Sequence, residues 1–381
     1  MNQTTEAPPS FRTNLWLFLA TIASVFVTYA YMVSRVPDGA TGPGFFTRGP
    51  LIQSAQFTGT LLTILVAHEL GHYIAARIHK VDASLPYFIP MPILSPFGTM
   101  GAVIRMRGII PTRRALLDIG AAGPLAGLVF AIPFYVWGTM HSQVVAIPVD
   151  SDPMMLGDSI LLKLLDRLAA PSVPEGMELA LSPIGYGAWG GMFVTMINLL
   201  PVGQLDGGHV AFALFGPNQD RYARFVHRAM LAFFFVIIAG HLGRDLVNGF
   251  GFVRLGRHLS NGMFWLVWFQ VLAILGAVAS RGRPESSAPT LTIRHRILAT
   301  VGLVVVGSMA HDHSSPLYVV AFFGGLAMLL AMEVKGGVLR PHDLLDHPPT
   351  SAAPLDGTRK AVAIITLVLF VLLFMPEPIT M

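Results

Sequence analysis

The sequence predicts an all-α polytopic membrane protein of about eight or nine transmembrane helices, with a small β-hairpin near its candidate active site. Three observations carry that reading. Of 381 residues, 53% are hydrophobic and only 12% charged, about half the charged share of an ordinary soluble domain. The apolar residues gather into runs long enough to cross a bilayer. Lys and Arg collect in the short connections between those runs, as orientation in a membrane requires. The formal charge of +4 is then a product of loop chemistry, and there is no basic stripe interleaved with aromatics, so nucleic acid is not an expected partner. The chain has no cysteine, which excludes disulfides, thiolate metal sites and cysteine nucleophiles. Any metal must be held by His, Asp or Glu.

Met1 to Thr13 is short and polar, without the Arg- and Ser-rich character of an organelle transit peptide. The stretch that follows is longer than a signal-peptide core and is read as an anchor that stays. Nine apolar stretches are candidate spans: Asn14–Ser34, Leu51–Ile78, Leu116–Gly138, Ile184–Leu200, Ala229–Leu246, Met263–Ala279, Ile297–Ala310, Leu317–Met332 and Ala361–Met375. Charge orients them. Lys80, Arg105, Arg107, Arg113 and Arg114 follow the second stretch and place that loop in the cytoplasm. The loop after the third, 139–183, carries Lys163 and Arg167 against six acidic residues and should lie outside. Arg221, Arg224 and Arg228 return the chain to the inside, and the basic residues at 281–296 and 335–360 agree. One loop dissents: Arg244, Arg254 and Arg257 fall outside in this scheme.

Two segments do not fit a spanning helix. Ser84 to Arg107 contains Pro86, Pro90, Pro92 and Pro96 and a Pro-Phe-Gly-Thr-Met-Gly turn, which no single helix accommodates. Short β-type runs around it, such as Ala102 to Met106, give either a hairpin against the cytoplasmic face or an ordinary loop. Gly336 to Thr358 is rich in Pro, Asp and His and reads as a flexible linker.

Within the second stretch, His68-Glu69-Leu70-Gly71-His72 reads HELGH. On a helix, histidines four residues apart share one face, one turn apart, with a carboxylate beside them. Two imidazoles there can grip one zinc ion while the glutamate acts as base. Ionisable groups at membrane depth are costly, so three within five residues require a function. A catalytic zinc site needs a third protein ligand beside its water. The segment Asn198-Leu199-Leu200-Pro201-Val202-Gly203-Gln204-Leu205-Asp206-Gly207-Gly208-His209 supplies a candidate. Pro201 ends the fourth helix, and glycines permit a tight turn that aims Asp206 inward. The alternative is that Asp206 is a turn former and His209 a surface residue.

Together the two segments resemble the site-2 protease family of intramembrane zinc metalloproteases. The resemblance rests on HELGH within a membrane helix paired with Asn-x-x-Pro-x-x-x-Leu-Asp-Gly at 198–207. It extends to the 96–101 turn and to Ala121-Ala122-Gly123-Pro124-Leu125-Ala126-Gly127, whose glycines suit close helix packing beside the site. It covers Leu51 to His209 well and the C-terminal helices weakly. The resemblance implies one zinc ion per chain on His68, His72 and Asp206, and Glu69 as general base. It further implies substrate contacts at Asn198 and, in the proline-rich turn, at Gly98 and Gly101, where an unwound substrate would add as an edge strand. The substrate implied is the transmembrane helix of a single-pass or other membrane protein, cut within the lipid bilayer of a prokaryotic inner membrane on its cytoplasmic side. On this reading the chain divides into a first helix and outer loop (1–50), a catalytic membrane core (51–209), additional helices (210–335), and a linker with the last helix (336–381). The outer loop of about 45 residues is too short for the PDZ domain that some members carry, and no regulatory domain is expected after the last helix. That points to a prokaryotic branch without PDZ or CBS domain, related to plastid-type members.

A transporter or a catalytically inactive homologue would also be polytopic. A transporter is expected to show paired broken helices in two related halves, and an inactive homologue to lack part of the His68, Glu69, His72 and Asp206 set. A metalloprotease with a glutamate as third ligand is disfavoured, since the next glutamate after Glu69 is Glu175. Among other polar residues, His311-Asp312-His313 reads as loop and His342 and His347 fall in the linker. His79 and His141 read as interfacial, and His241 and Asp245 are spaced to pair along a helix.

Overall fold

Long apolar runs become helices because the backbone satisfies its own hydrogen bonds there, the one solution open to a single segment in lipid. The structure is a computed structural model that describes residues 11–34, 46–93, 95–106, 110–146, 155–279, 293–312, 315–336 and 353–380. Among the described residues, seven helices are long and apolar enough to cross a membrane: Phe11–Ser34, Arg48–Ile78, Arg113–Met140, Arg221–Val247, Leu255–Gly276, Ile293–Asp312 and Pro316–Val334. This is an all-α polytopic membrane protein. All nine predicted stretches coincide with helices, but those at Pro183–Asn198 and Gly357–Leu373 are shorter, with 16 and 17 residues. At ~1.5 Å per residue such helices fall short of a ~30 Å hydrocarbon core. The 183–198 helix is buried at nearly every position from Gly185 to Ile197, so protein rather than lipid surrounds it. Several helices begin earlier than the apolar runs do, because Arg, His and Asn continue a helix that a hydropathy window cuts short.

Contacts group the chain into two units, one of Met1–Pro148, Ile160–Leu199 and Thr350–Leu373, the other of Val149–Ser159, Leu200–Pro349 and Phe374–Met381. In the first, α1 (Phe11–Ser34), α2 (Arg48–Ile78), α3 (Arg113–Met140) and α5 (Pro183–Asn198) pack together with α11 (Gly357–Leu373). A ladder of rings fills the space between α1, α2 and α5. Tyr29 stacks on Phe57 at 4.4 Å, Phe57 on Tyr186 at 5.3 Å, and Trp189 on Phe193 at 5.6 Å. Each such pair adds to the area its rings bury.

The proline-rich segment forms the expected hairpin. β1 (Tyr87–Pro90) pairs antiparallel with β2 (Thr99–Val103), with an irregularity in register between Phe88 and Pro90. Pro90 has no N–H for the ladder, which accounts for the break there. The hairpin is fastened to α1: Asn14 Nδ2 donates to the carbonyls of Leu85 and Pro86 at 3.0 and 2.9 Å, and Ser24 Oγ donates to the Gly98 carbonyl at 2.5 Å. The 139–183 connection holds more order than its composition suggests. β3 (Gln143–Ala146) pairs antiparallel with β5 (Met177–Ala180), and between them lies α4 (Ile160–Ala169), whose Asp166 accepts from Tyr135 Oη at 2.9 Å. Four-residue strands alternate too briefly for a periodicity to register.

In the second unit, α6 (Asp206–Phe215) and a short 3-10 turn lead to α7 (Gln219–Val247), α8 (Leu255–Ala279), α9 (Ile293–Asp312) and α10 (Pro316–Gly336). Phe234, Ile238, Leu259, Leu266, Leu303, Phe322, Leu326 and Leu329 form their common core. A buried ion pair joins Arg296 of α9 to Glu333 of α10, both at most 1% exposed. β4 (Met155–Leu156) pairs with β6 (Ile379–Thr380). The expected His241–Asp245 pair does not form. His241 Nε2 meets Glu377 Oε2 at 2.7 Å, and Asp245 instead meets His258 at 2.8 Å and Arg254 at 3.9 Å. Partners from the next helix and from the C-terminal segment outcompete the neighbour one turn away. Arg254 also lies 3.8 Å over the Phe250 ring, so the loop that dissented in the charge count has part of its positive charge balanced by Asp245. His311 and Asp312 close α9 rather than standing in a loop. His313, His342, His347 and most of the expected 336–358 linker lie outside the described residues.

Candidate metal centre

The HELGH pentad sits in the C-terminal half of α2, a 31-residue helix with no proline after its first turn. His68, Glu69 and His72 are 3%, 6% and 7% exposed. Helical spacing brings the imidazoles edge to face, centroids 4.8 Å apart at 70°, with Nε2 of His72 3.1 Å from Nε2 of His68. His72 Nδ1 is 2.7 Å from the carbonyl oxygen of Ile119 on α3. A carbonyl only accepts, so Nδ1 carries the proton and Nε2 turns its lone pair toward His68. Asn198, the last residue of α5, brings Nδ2 within 3.3 Å of His68 Nε2.

Glycines permit this closeness. Any side chain at Gly123 of α3 would collide with the imidazole of His72, and one at Gly127 would lie 3.5 Å from His68. On the α2 side, a side chain at Gly71 would meet the Ala122 carbonyl. The small-residue run at 121–127 is therefore what lets α3 press against the metal face of α2. Pro124 has no N–H to offer the Gly120 carbonyl, one residue past Ile119.

Beyond Asn198 the chain turns tightly. Leu199 caps α5, Pro201 prevents its continuation, Gly203 takes φ +59°, and a Cβ at Gly208 would strike the Gly203 carbonyl. Asp206 opens α6, where the helix N-terminus favours a carboxylate. One ligand atom each from His68, His72 and Asp206 lies within 4.8 Å of the others, a group able to hold a metal ion. Two imidazole nitrogens and a carboxylate oxygen, with one lone pair facing the other imidazole, are a donor set that fits zinc.

Of the residues singled out in the sequence, His68, Glu69, His72 and Asn198 lie together. Gly98 (φ +73°) is seated tightly against Ser24 and Val25 of α1, and Gly101 (φ +88°) lies in β2 with open space where a side chain would point. The Ile119 carbonyl was not foreseen, since a backbone acceptor leaves no mark in a sequence.

A polytopic membrane protein with a buried His-Glu-x-x-His helix and a His–His–Asp group has the make-up of a membrane metallopeptidase. Residues 56–237 match the family model described as Peptidase family M50. Over that stretch, a little under half of the chain, the sequence is similar to that family, the site-2 proteases. It is 34% identical over 161 residues, 42% of this chain and 29% of the relative, to "Probable zinc metalloprotease EGY2, chloroplastic" of Oryza sativa subsp. indica. It is 32% identical over 233 residues, 54% of this chain and 41% of the relative, to "Probable zinc metalloprotease EGY1, chloroplastic" of Arabidopsis thaliana. It is also similar to "Probable zinc metallopeptidase EGY3, chloroplastic" of Arabidopsis thaliana, at 28% identity over 45% of this chain and 32% of the relative. The chain thus spans less than half the length of these relatives. No solved structure matches it.

Proposed function

We propose that this protein is an intramembrane zinc metalloprotease that hydrolyses a peptide bond in or near the transmembrane helix of another membrane protein. One observation carries the proposal: the ligand atoms of His68, His72 and Asp206 gather within 4.8 Å, and Glu69, next to His68 along α2, is buried. His68, His72 and Asp206 would hold the ion. When bound, zinc would act as a Lewis acid, bringing the pKa of a water toward neutrality and polarising the scissile carbonyl. The names of the chloroplast relatives agree with this chemistry.

The chain's own residues do the rest. The Glu69 carboxylate accepts the proton of the attacking water and delivers it to the leaving amide nitrogen. Ile119 holds His72 in the tautomer that presents Nε2. Asn198 would orient the substrate backbone, and the β1–β2 hairpin would offer an edge to a locally unwound substrate. A helical peptide bond in lipid is hydrogen-bonded and dry, so hydrolysis requires both unwinding and water. The basic loops support an orientation with the site toward the cytoplasmic face of a prokaryotic inner membrane, where both demands would be eased.

The test is Glu69→Gln, assayed in vesicles against a membrane protein substrate. The variant is expected to retain zinc and lose at least ~100-fold in cleavage, the scale of a missing general base. Wild-type turnover by that variant would end the mechanism.

A further inference from the structure

Five polar side chains outside the metal centre join three helix ends of the first unit. Asp118 of α3 stands one residue before Ile119, whose carbonyl fixes His72. Its carboxylate accepts from His79 Nε2 at 2.8 Å, and His79 is the C-cap of α2, the helix that carries HELGH. The same carboxylate accepts from Arg359 Nε at 3.1 Å to each oxygen and from Arg359 Nη2 at 2.8 Å. Arg359 lies in the first turn of α11. Its other nitrogen, Nη1, donates to Asp356 at 3.0 Å, and Asp356 also accepts from Arg114 Nη2 at 2.7 Å. Asp356 in turn caps α11, accepting from the Arg359 backbone N–H at 2.9 Å. That N–H, then the Arg114 and Arg359 guanidiniums, holds the Asp356 carboxyl well below its ordinary range.

We propose that Arg359 is a positioning residue for the metal centre, acting through Asp118 and the Ile119 carbonyl on the orientation of His72. The proposal rests on the metal reading given above. The geometry favours a directional role over a merely adhesive one. A single half-exposed ion pair contributes little to stability. A guanidinium fork on a carboxylate fixes direction as well as distance, and this one fixes the turn of α3 from which the Ile119 carbonyl projects. His79 ties that turn to the end of α2. The C-terminal helix, far away in sequence, thereby bears on a histidine that the sequence motif places in isolation. Partners of a ligand histidine set its ring orientation and basicity, and their loss typically weakens metal binding by about 10- to 100-fold.

The experiment uses the full chain in detergent, with zinc affinity read by competition against a chelating indicator and geometry read from the visible spectrum of the cobalt-substituted protein. Arg359→Ala and Asp118→Asn are each expected to weaken zinc binding by about tenfold and to shift the cobalt bands. Arg359→Lys, which keeps the charge but not the fork, should fall between them and wild type, and covers the case in which Arg359→Ala does not fold. The exchange D118R/R359D should recover part of the affinity. Wild-type affinity and an unchanged cobalt spectrum in Arg359→Ala, Arg359→Lys and Asp118→Asn would overturn the positioning role while leaving the metal reading intact. Failure of the wild-type chain itself to bind zinc would overturn the metal reading, and the positioning role with it.

Discussion

Gly123 is the residue at which the site is most sensitive to a single atom. It sits in the interior of α3, where replacing glycine by alanine ordinarily stabilises a helix by about 1 kcal/mol. Here the added methyl would enter the space of the His72 imidazole. Two effects of opposite sign therefore act on two observables. In Gly123→Ala the helix is expected to be no less stable, while zinc affinity falls by at least ~10-fold as His72 is displaced. Thermal unfolding alongside metal titration separates them, and undiminished zinc affinity would show that α3 has room to withdraw. The importance of this position was partly legible beforehand. The Ala121 to Gly127 run announced close packing, but not which side chain would occupy the gap. Likewise HELGH identified both imidazoles from spacing alone, because a helix fixes where residues i and i+4 point. It could not reveal the Ile119 carbonyl or Arg359, since these meet His72 and Asp118 through tertiary packing.

At the scale of elements, α9 and α10 are joined by a contact that hydropathy alone would forbid. Arg296 and Glu333 are both buried within apolar helices, where an ionised group is tolerated only with its partner. Removing one member strands the other. Arg296→Met is expected to destabilise the chain by ~3–5 kcal/mol, and the double replacement R296M/E333L to recover most of that loss. Equilibrium unfolding in mixed micelles measures both, and a single mutant as stable as wild type would show that the pair contributes nothing. Helix existence was legible for the apolar runs, all nine of which became helices, but not for the ten-residue α4 and α6 that lie outside them. Helix ends were not. α7 begins at Gln219 rather than near Ala229 because Arg221, Tyr222 and Arg224 are good enough helix residues to extend it. The strands β3 and β5 were missed because a four-residue alternation carries almost no period, whereas the β1–β2 hairpin was marked by its prolines.

For the whole molecule, composition and loop charge sufficed to define a polytopic membrane protein, and the paired motifs sufficed to find the likeness to the site-2 proteases. The role of the last helix was out of reach. The stretch that read as a last helix after a linker is α11, and it packs with α3, α4 and α5, held by residues separated from their partners by 241 positions. Ion pairs at such separation have no local signature. The central claim is that one zinc ion is held jointly by HELGH and by Asp206. Metal content of the purified full-length chain tests it most directly. Wild type should hold about one zinc per chain, and Asp206→Ala clearly less than stoichiometric zinc with the fold retained. No stoichiometric zinc in wild type, or a full complement in Asp206→Ala, would contradict it.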